Sequence, residues 1–139
     1  MKKIFTFIIL AILVISCETA RYAEYTHIAD FRRHIDAGFY IYPLGTEVKK
    51  EYMALADIDL LFVVGNKSNL TSQEGVIAFT SPLGNTRYAP TGEYMLDRVV
   101  AQAKSVGADA IINYQVTPNS INGAVASYRA SAIAVKLSK

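Results

Sequence analysis

The chain has 139 residues with 14 basic and 12 acidic side chains and a single cysteine. That length suits one domain and is short for two. The near balance of charge excludes a polybasic nucleic-acid surface, and the lone cysteine excludes an intrachain disulfide framework.

Met1 to Ser16 begins with Lys2 and Lys3 and runs apolar from Ile4 to Ile15, interrupted only by Thr6. A spanning helix needs roughly 20 apolar residues, so residues 1–16 are expected to be a secretory signal. The four residues that follow one another at its end, Val14, Ile15, Ser16 and Cys17, resemble a bacterial lipobox. The resemblance implies cleavage after Ser16 and a diacylglycerol on the Cys17 thiol. An ordinary signal peptide with a chance cysteine is the other reading. Lipidation would place the protein in the cell envelope, at the inner or the outer membrane, with each buried CH₂ contributing about 0.8 kcal/mol to anchoring. Loss of Lys2 and Lys3 with the signal leaves 12 basic against 12 acidic residues, so the mature chain is formally neutral and no nucleic-acid partner is expected.

Residues 17–37 read as lipid anchor and tether with a short helix. Asp30 is placed to cap a helix from Phe31 to Ala37 before Gly38; a longer helix taking in Tyr25 and Ile28 is the alternative. In that longer helix His27, Asp30 and His34 would share one face, a set able to hold a divalent ion. Solvated polar residues beside the tether account for the same spacing.

Residues 38–139 are expected to form one α+β domain. Phe39 to Tyr42 is a short strand stopped by Pro43, with Phe39 and Ile41 on one face and Tyr40 and Tyr42 on the other. Met53 to Val64 is a long strand whose face of Ala54, Ala56, Ile58, Leu60, Phe62 and Val64 is apolar, while Asp57, Asp59, Leu61 and Val63 take the other. Gly65 to Gly75 reads as a loop, Val76 to Phe79 as a short strand, and Ser81 to Pro90 as a second loop. Thr91 to Val106 has the period of a helix: Met95, Leu96, Val99, Val100, Ala103 and Val106 on one side, Glu93, Asp97, Arg98, Gln102 and Lys104 on the other. Thr91 caps its start and Gly107 supplies the left-handed residue that closes it. From Ala110 the period becomes two, directing Ala110, Ile112, Tyr114 and Val116 one way and Ile111, Asn113 and Gln115 the other. Pro118 to Gly123 is expected to turn the chain into a last strand, Ala124 to Leu137. There Ala124, Ala126, Tyr128, Ala130, Ala132 and Ala134 make a face small enough to lie close beneath the helix. The opposite face ends in Ile133, Val135 and Leu137 and needs a cover of its own, for which a second subunit is the simplest source.

The run AKSVGADAIINYQV, with Ala103 and the turn Gly107-Ala108-Asp109-Ala110, followed by the alternating Ala130, Ala132, Ala134 and Val135, resembles the YbjQ-like family, which carries a heavy-metal-binding label. The likeness covers about residues 53–137. It implies a dodecin-like β-α-β-β subunit, a mostly antiparallel sheet with the last strand in the middle and one main helix on one face. It also implies ring-shaped oligomers assisted by short extra strands, a role open to Phe39–Tyr42 and Val76–Phe79. The metal label finds no soft or imidazole ligand between Gly38 and Lys139, where Cys and His are absent.

Asp57, Asp59, Tyr114, Tyr128 and Arg129 are the candidate interface or ligand residues. The two aspartates could pair with Arg129 across the sheet or across a subunit boundary, stay solvated, or offer oxygen ligands to an ion. Nothing supplies a nucleophile elbow, a phosphate-cradling glycine loop or flanking carboxylates for glycoside chemistry, so an enzyme is not expected, nor is a cofactor. Two classes of function remain. One is a lipid-anchored, oligomeric structural or interaction module of the cell envelope, with an envelope protein as possible partner. The other is a small-ligand- or metal-ion-binding lipoprotein or an envelope stress sensor.

Overall fold

The computed structural model describes residues 28–70, 74–81 and 84–138. Cys17, His27 and the whole of residues 1–16 lie outside the described residues. In chain order the elements are α1 (Arg32–Asp36), β1 (Tyr40–Pro43), β2 (Tyr52–Val63), β3 (Val76–Thr80), β4 (Thr86–Pro90), α2 (Gly92–Ser105), β5 (Ala110–Ile121) and β6 (Ala124–Leu137). The architecture is mixed, with mostly strands, one main helix and a largely antiparallel sheet. Four strands pair in the order β1-β5-β6-β2, so the last strand lies between β5 and β2, and β1 alone is parallel to its neighbour.

The periodicity of α2 fixes what it covers. Met95, Leu96, Val99, Val100 and Ala103 are buried, while Val106, expected on the same face, is exposed because it follows the last helical turn. The Thr91 hydroxyl accepts the Tyr94 N–H at 3.1 Å, and Gly107 closes the helix at φ +83°. Beneath the helix lie Ala130, Ala132 and Ala134 of β6, with Ile58 and Ile111 beside them. Methyl side chains at these positions let the helix approach the backbone closely, and Leu96 and Val99 are fully buried there.

Strict alternation fails in β5. Asn113 adopts φ +57°, and the pairing with β6 slips between Ile112 and Gln115. This β-bulge re-phases the strand. Ile111 therefore faces the helix before the bulge, and Tyr114 and Val116 face it afterwards, whereas Ala110 and Ile112 point to the outer face. The shared face expected for Ala110, Ile112, Tyr114 and Val116 is thus corrected. The hairpin is also tighter than expected. Pro118 to Ile121 belong to β5, and the turn is Asn122-Gly123, with φ of +51° and +78°, the left-handed pair that a two-residue hairpin requires.

The segment Ser81 to Pro90, expected as loop, contains β4, which pairs with β3 as a separate two-stranded sheet. The Thr91 N–H bonds to the Gly75 carbonyl at 2.7 Å, tying that hairpin to the start of α2. α1 is clipped to the same half of the helix. Phe31 meets the Tyr114 ring edge-on at 6.0 Å, and both Arg33 and His34 reach the Asp97 carboxylate.

The outer face of the sheet has two halves. Ala110, Ile112, Val135 and Leu137 form a second apolar cluster, and Tyr42, Val48 and Ile133 pack against it. Tyr42 and Val48 come from β1 and the β1–β2 connection. The cover assigned in the sequence to a second subunit is, for Val135 and Leu137, supplied by the chain itself.

Candidate interaction surface

The other half of the outer face is bare, and β2 forms its border. β2 bonds to β6 along one side, and no described strand pairs with its other side before Gly65. There the N–H and C=O of Gly65 both bond to Tyr88 of β4, at 3.2 and 2.8 Å. Arg87 supports this junction by donating to the Val64 carbonyl at 3.1 Å. Backbone groups alternate in direction along a strand, so Val63, Leu61, Asp59 and Asp57 turn theirs to the same side as Gly65. That side is open.

On this half Leu61 and Val63 remain 59% and 70% exposed, although they alternate with Leu60, Phe62 and Val64, which pack under the helix. Asp59 and Arg129 are brought together: Nη1 donates to Oδ2 at 3.0 Å, with both side chains about half exposed. An exposed pair of this kind contributes between about 0.2 and 1 kcal/mol. Asp57 lies one pleat along, exposed, opposite Ile133. Before the register slip between Ala54 and Ala56 the faces of β2 exchange: Met53 lies opposite Lys136 on the helix side, while Tyr52 and Ala54, opposite Leu137 and Val135, take the outer face, which corrects the shared face expected for Ala54 and Ala56.

Tyr114 and Tyr128 lie on the opposite face from Asp57, Asp59 and Arg129. Both are buried in the helix-side core. Among the described residues the buried Tyr114 hydroxyl has no hydrogen-bond partner, and burial pushes the phenol up to about 12. The five sequence candidates therefore do not converge on one pocket, and the sheet separates the carboxylates from the phenols. The bulge at Asn113 decides this for Tyr114.

The spacing of His27, Asp30 and His34 is not realised as a shared face in its described members. Asp30 accepts from the Arg32 guanidinium at 2.6 to 3.1 Å and is held down to about 2 by it. His34 Nε2 lies 2.8 Å from Asp97. Among the described residues no three His, Cys, Asp or Glu side chains gather to hold an ion.

Sequence reasoning missed the open edge. A period-two pattern shows that a strand has two faces but not whether it lies inside a sheet or at its border. The paired carboxylates were the available signal, since charged residues are common on edges. Compared with protein-family models, curated proteins and solved structures, the chain matches none. No described helix is long and apolar enough to cross a membrane.

Proposed function

We propose that this protein is a non-enzymatic lipoprotein of the cell envelope, anchored through Cys17 after loss of residues 1–16, whose folded domain acts as an oligomeric structural or interaction module. One observation carries the second half of this reading: the twelve-residue β2 presents an open backbone edge beside exposed Leu61 and Val63. Edges of that length are ordinarily shortened, covered or charged, and here Asp57 and Asp59 charge one half while Leu61 and Val63 leave the other half apolar. Docking is the use that such an edge serves best.

The order β2, α2, β5, β6 with β6 in the middle agrees with a dodecin-like, YbjQ-like subunit. The ring that the likeness implies is one form the oligomer could take. Support from the apolar Val135 and Leu137 is withdrawn, because Tyr42 and Val48 already pack there.

Two measurements test the reading. Cells fed an alkyne-tagged fatty acid should label the native protein and not the Cys17→Ser variant; equal labelling of both would remove the anchor. The mass of the detergent-extracted protein, corrected for bound detergent, should be that of a discrete oligomer with or without added divalent metal. A monomer would remove the oligomeric module, and assembly only with metal would favour the ion-binding class instead.

A further inference from the structure

Resting on the oligomeric reading, we infer that the open edge of β2 is the seat of a second copy of this chain, paired antiparallel about a twofold axis at Leu60. The two borders of the main sheet are unequal. β1 offers four residues and ends in Pro43, which has no N–H to donate, whereas β2 offers twelve. A β2 edge that pairs with β1 of a neighbour leaves most of its donors and acceptors unmet. Past β1, residues 115–121 of β5 also lack a described partner on that side, but Pro118 interrupts that run, so another β2 is the match of longest unbroken length.

The charges choose the register. Between the slip at Ala54/Ala56 and the bond from Gly65 to Tyr88, β2 runs without irregularity from Ala56 to Val63. In an antiparallel pair, residues directly opposite lie on the same face of the sheet, so a twofold axis must pass through a residue position. An axis at Asp57 or Asp59 sets an aspartate against its own copy, and an axis at Ile58 sets Asp57 against Asp59. An axis at Leu61 avoids this but shortens the paired run to residues 59–63. With the axis at Leu60, Asp59 lies opposite Leu61 and Asp57 opposite Val63 of the second copy over residues 57–63. No carboxylate then opposes another.

This register has three further consequences. The outward-turned residues Asp57, Asp59, Leu61 and Val63 exchange N–H···O=C bonds in pairs, about eight in all. The two Asp59–Arg129 pairs, each bonded at 3.0 Å within its own copy, come to lie on one face about the axis with a Leu61 between each acid and the second guanidinium, so each carboxylate keeps its own counter-charge. The Ala54/Ala56 bulge of one copy falls where Tyr88 occupies the edge of the other, and bulged strands bend. The second chain turns aside there instead of colliding with β4.

The test uses full-length lipoprotein extracted in mild detergent. Leu61→Pro removes an N–H that faces the open side, a position at which an edge strand tolerates proline. It should convert a dimer to a monomer while the circular dichroism spectrum stays native. Chains carrying Asp59→Cys and Leu61→Cys, mixed and oxidised, should cross-link to each other at least tenfold more than either does to itself, because directly opposed residues meet the Cα spacing of a disulfide. Cross-linking of Asp59→Cys to itself would overturn the register. A discrete oligomer that Leu61→Pro leaves intact would overturn edge pairing yet keep the interaction module. A monomeric native protein would overturn both. Should Leu61→Pro lose its fold, the cross-linking pattern alone decides.

Discussion

The two faces of the main sheet are built from the same alternating strands, and they meet opposite fates. Toward α2, the alternating Tyr128, Ala130, Ala132 and Ala134 of β6 are buried against the helix. Toward the outside, half of the surface is covered by Tyr42 and Val48, and half carries Asp57, Asp59, Leu61, Val63 and Arg129 in water. The difference teaches that an apolar stripe reports a need for cover but not its source. Val135 obtains its cover from a connection more than eighty residues earlier in the chain, and Leu61 has none within the described residues.

The largest test of this contrast is truncation under the helix. Leu96 is fully buried among the sheet alanines, so Leu96→Ala should cost about 2–5 kcal/mol, measured by denaturant unfolding. Arg129→Ala on the bare half removes one exposed ion pair and should cost about 0.2–1 kcal/mol. Equal losses would mean that the two faces are not energetically distinct.

Enlargement tests the same contrast from the other direction. Ala132 is almost fully buried where β6 passes beneath α2. Ala132→Leu should destabilise by about 1–3 kcal/mol through overpacking, seen as a lower denaturant midpoint with an unchanged slope. A neutral result would show that α2 rides on the sheet with room to spare, and the alanine stripe would lose its explanation.

How far these features could be read in advance follows from the range of the interactions that make them. Helix α2 was legible from Thr91 to Gly107, because its cap, its apolar face and its left-handed terminator are all local. The small-residue face of β6 was legible for the same reason, and it led to the right neighbour. Two features were not. Asn113 in the left-handed region breaks the count of a strand whose composition gives no warning, so strict alternation groups Tyr114 with Ala110 and Ile112, from which the bulge separates it. β4 contains Pro90 and sits among turn-forming residues, and it is a strand only because β3 pairs with it. The ion pair between Asp59 and Arg129 differs from these: it is among the readings the sequence offers, and the pairing of Leu61 with Arg129 across the sheet is what places the guanidinium beside the carboxylate.

The smallest predicted effect concerns the turn that joins helix to sheet. Asp109 stands between α2 and β5, and its carboxylate accepts the Leu137 N–H at 2.8 Å and meets Lys136 Nζ at 3.2 Å, fastening the end of β6 to the start of β5. The Leu137 N–H, and after it Lys136, hold this carboxyl below its ordinary value of 3.8. A depressed carboxylate adds stability that is present above the unfolded value and is lost as pH falls through the folded one. Asp109 is partly solvated, so the amount is under about 1 kcal/mol. Asp109→Asn keeps an oxygen for the Leu137 N–H but removes the charge. The variant should therefore be slightly less stable than the native chain at pH 7, with the two unfolding curves converging below pH 3.8 as the native carboxylate takes up its proton. Parallel curves across the acid range would show that Asp109 fastens the strands through its shape alone. In that case this turn, unlike the bare half of the outer face, would carry no electrostatic part at all.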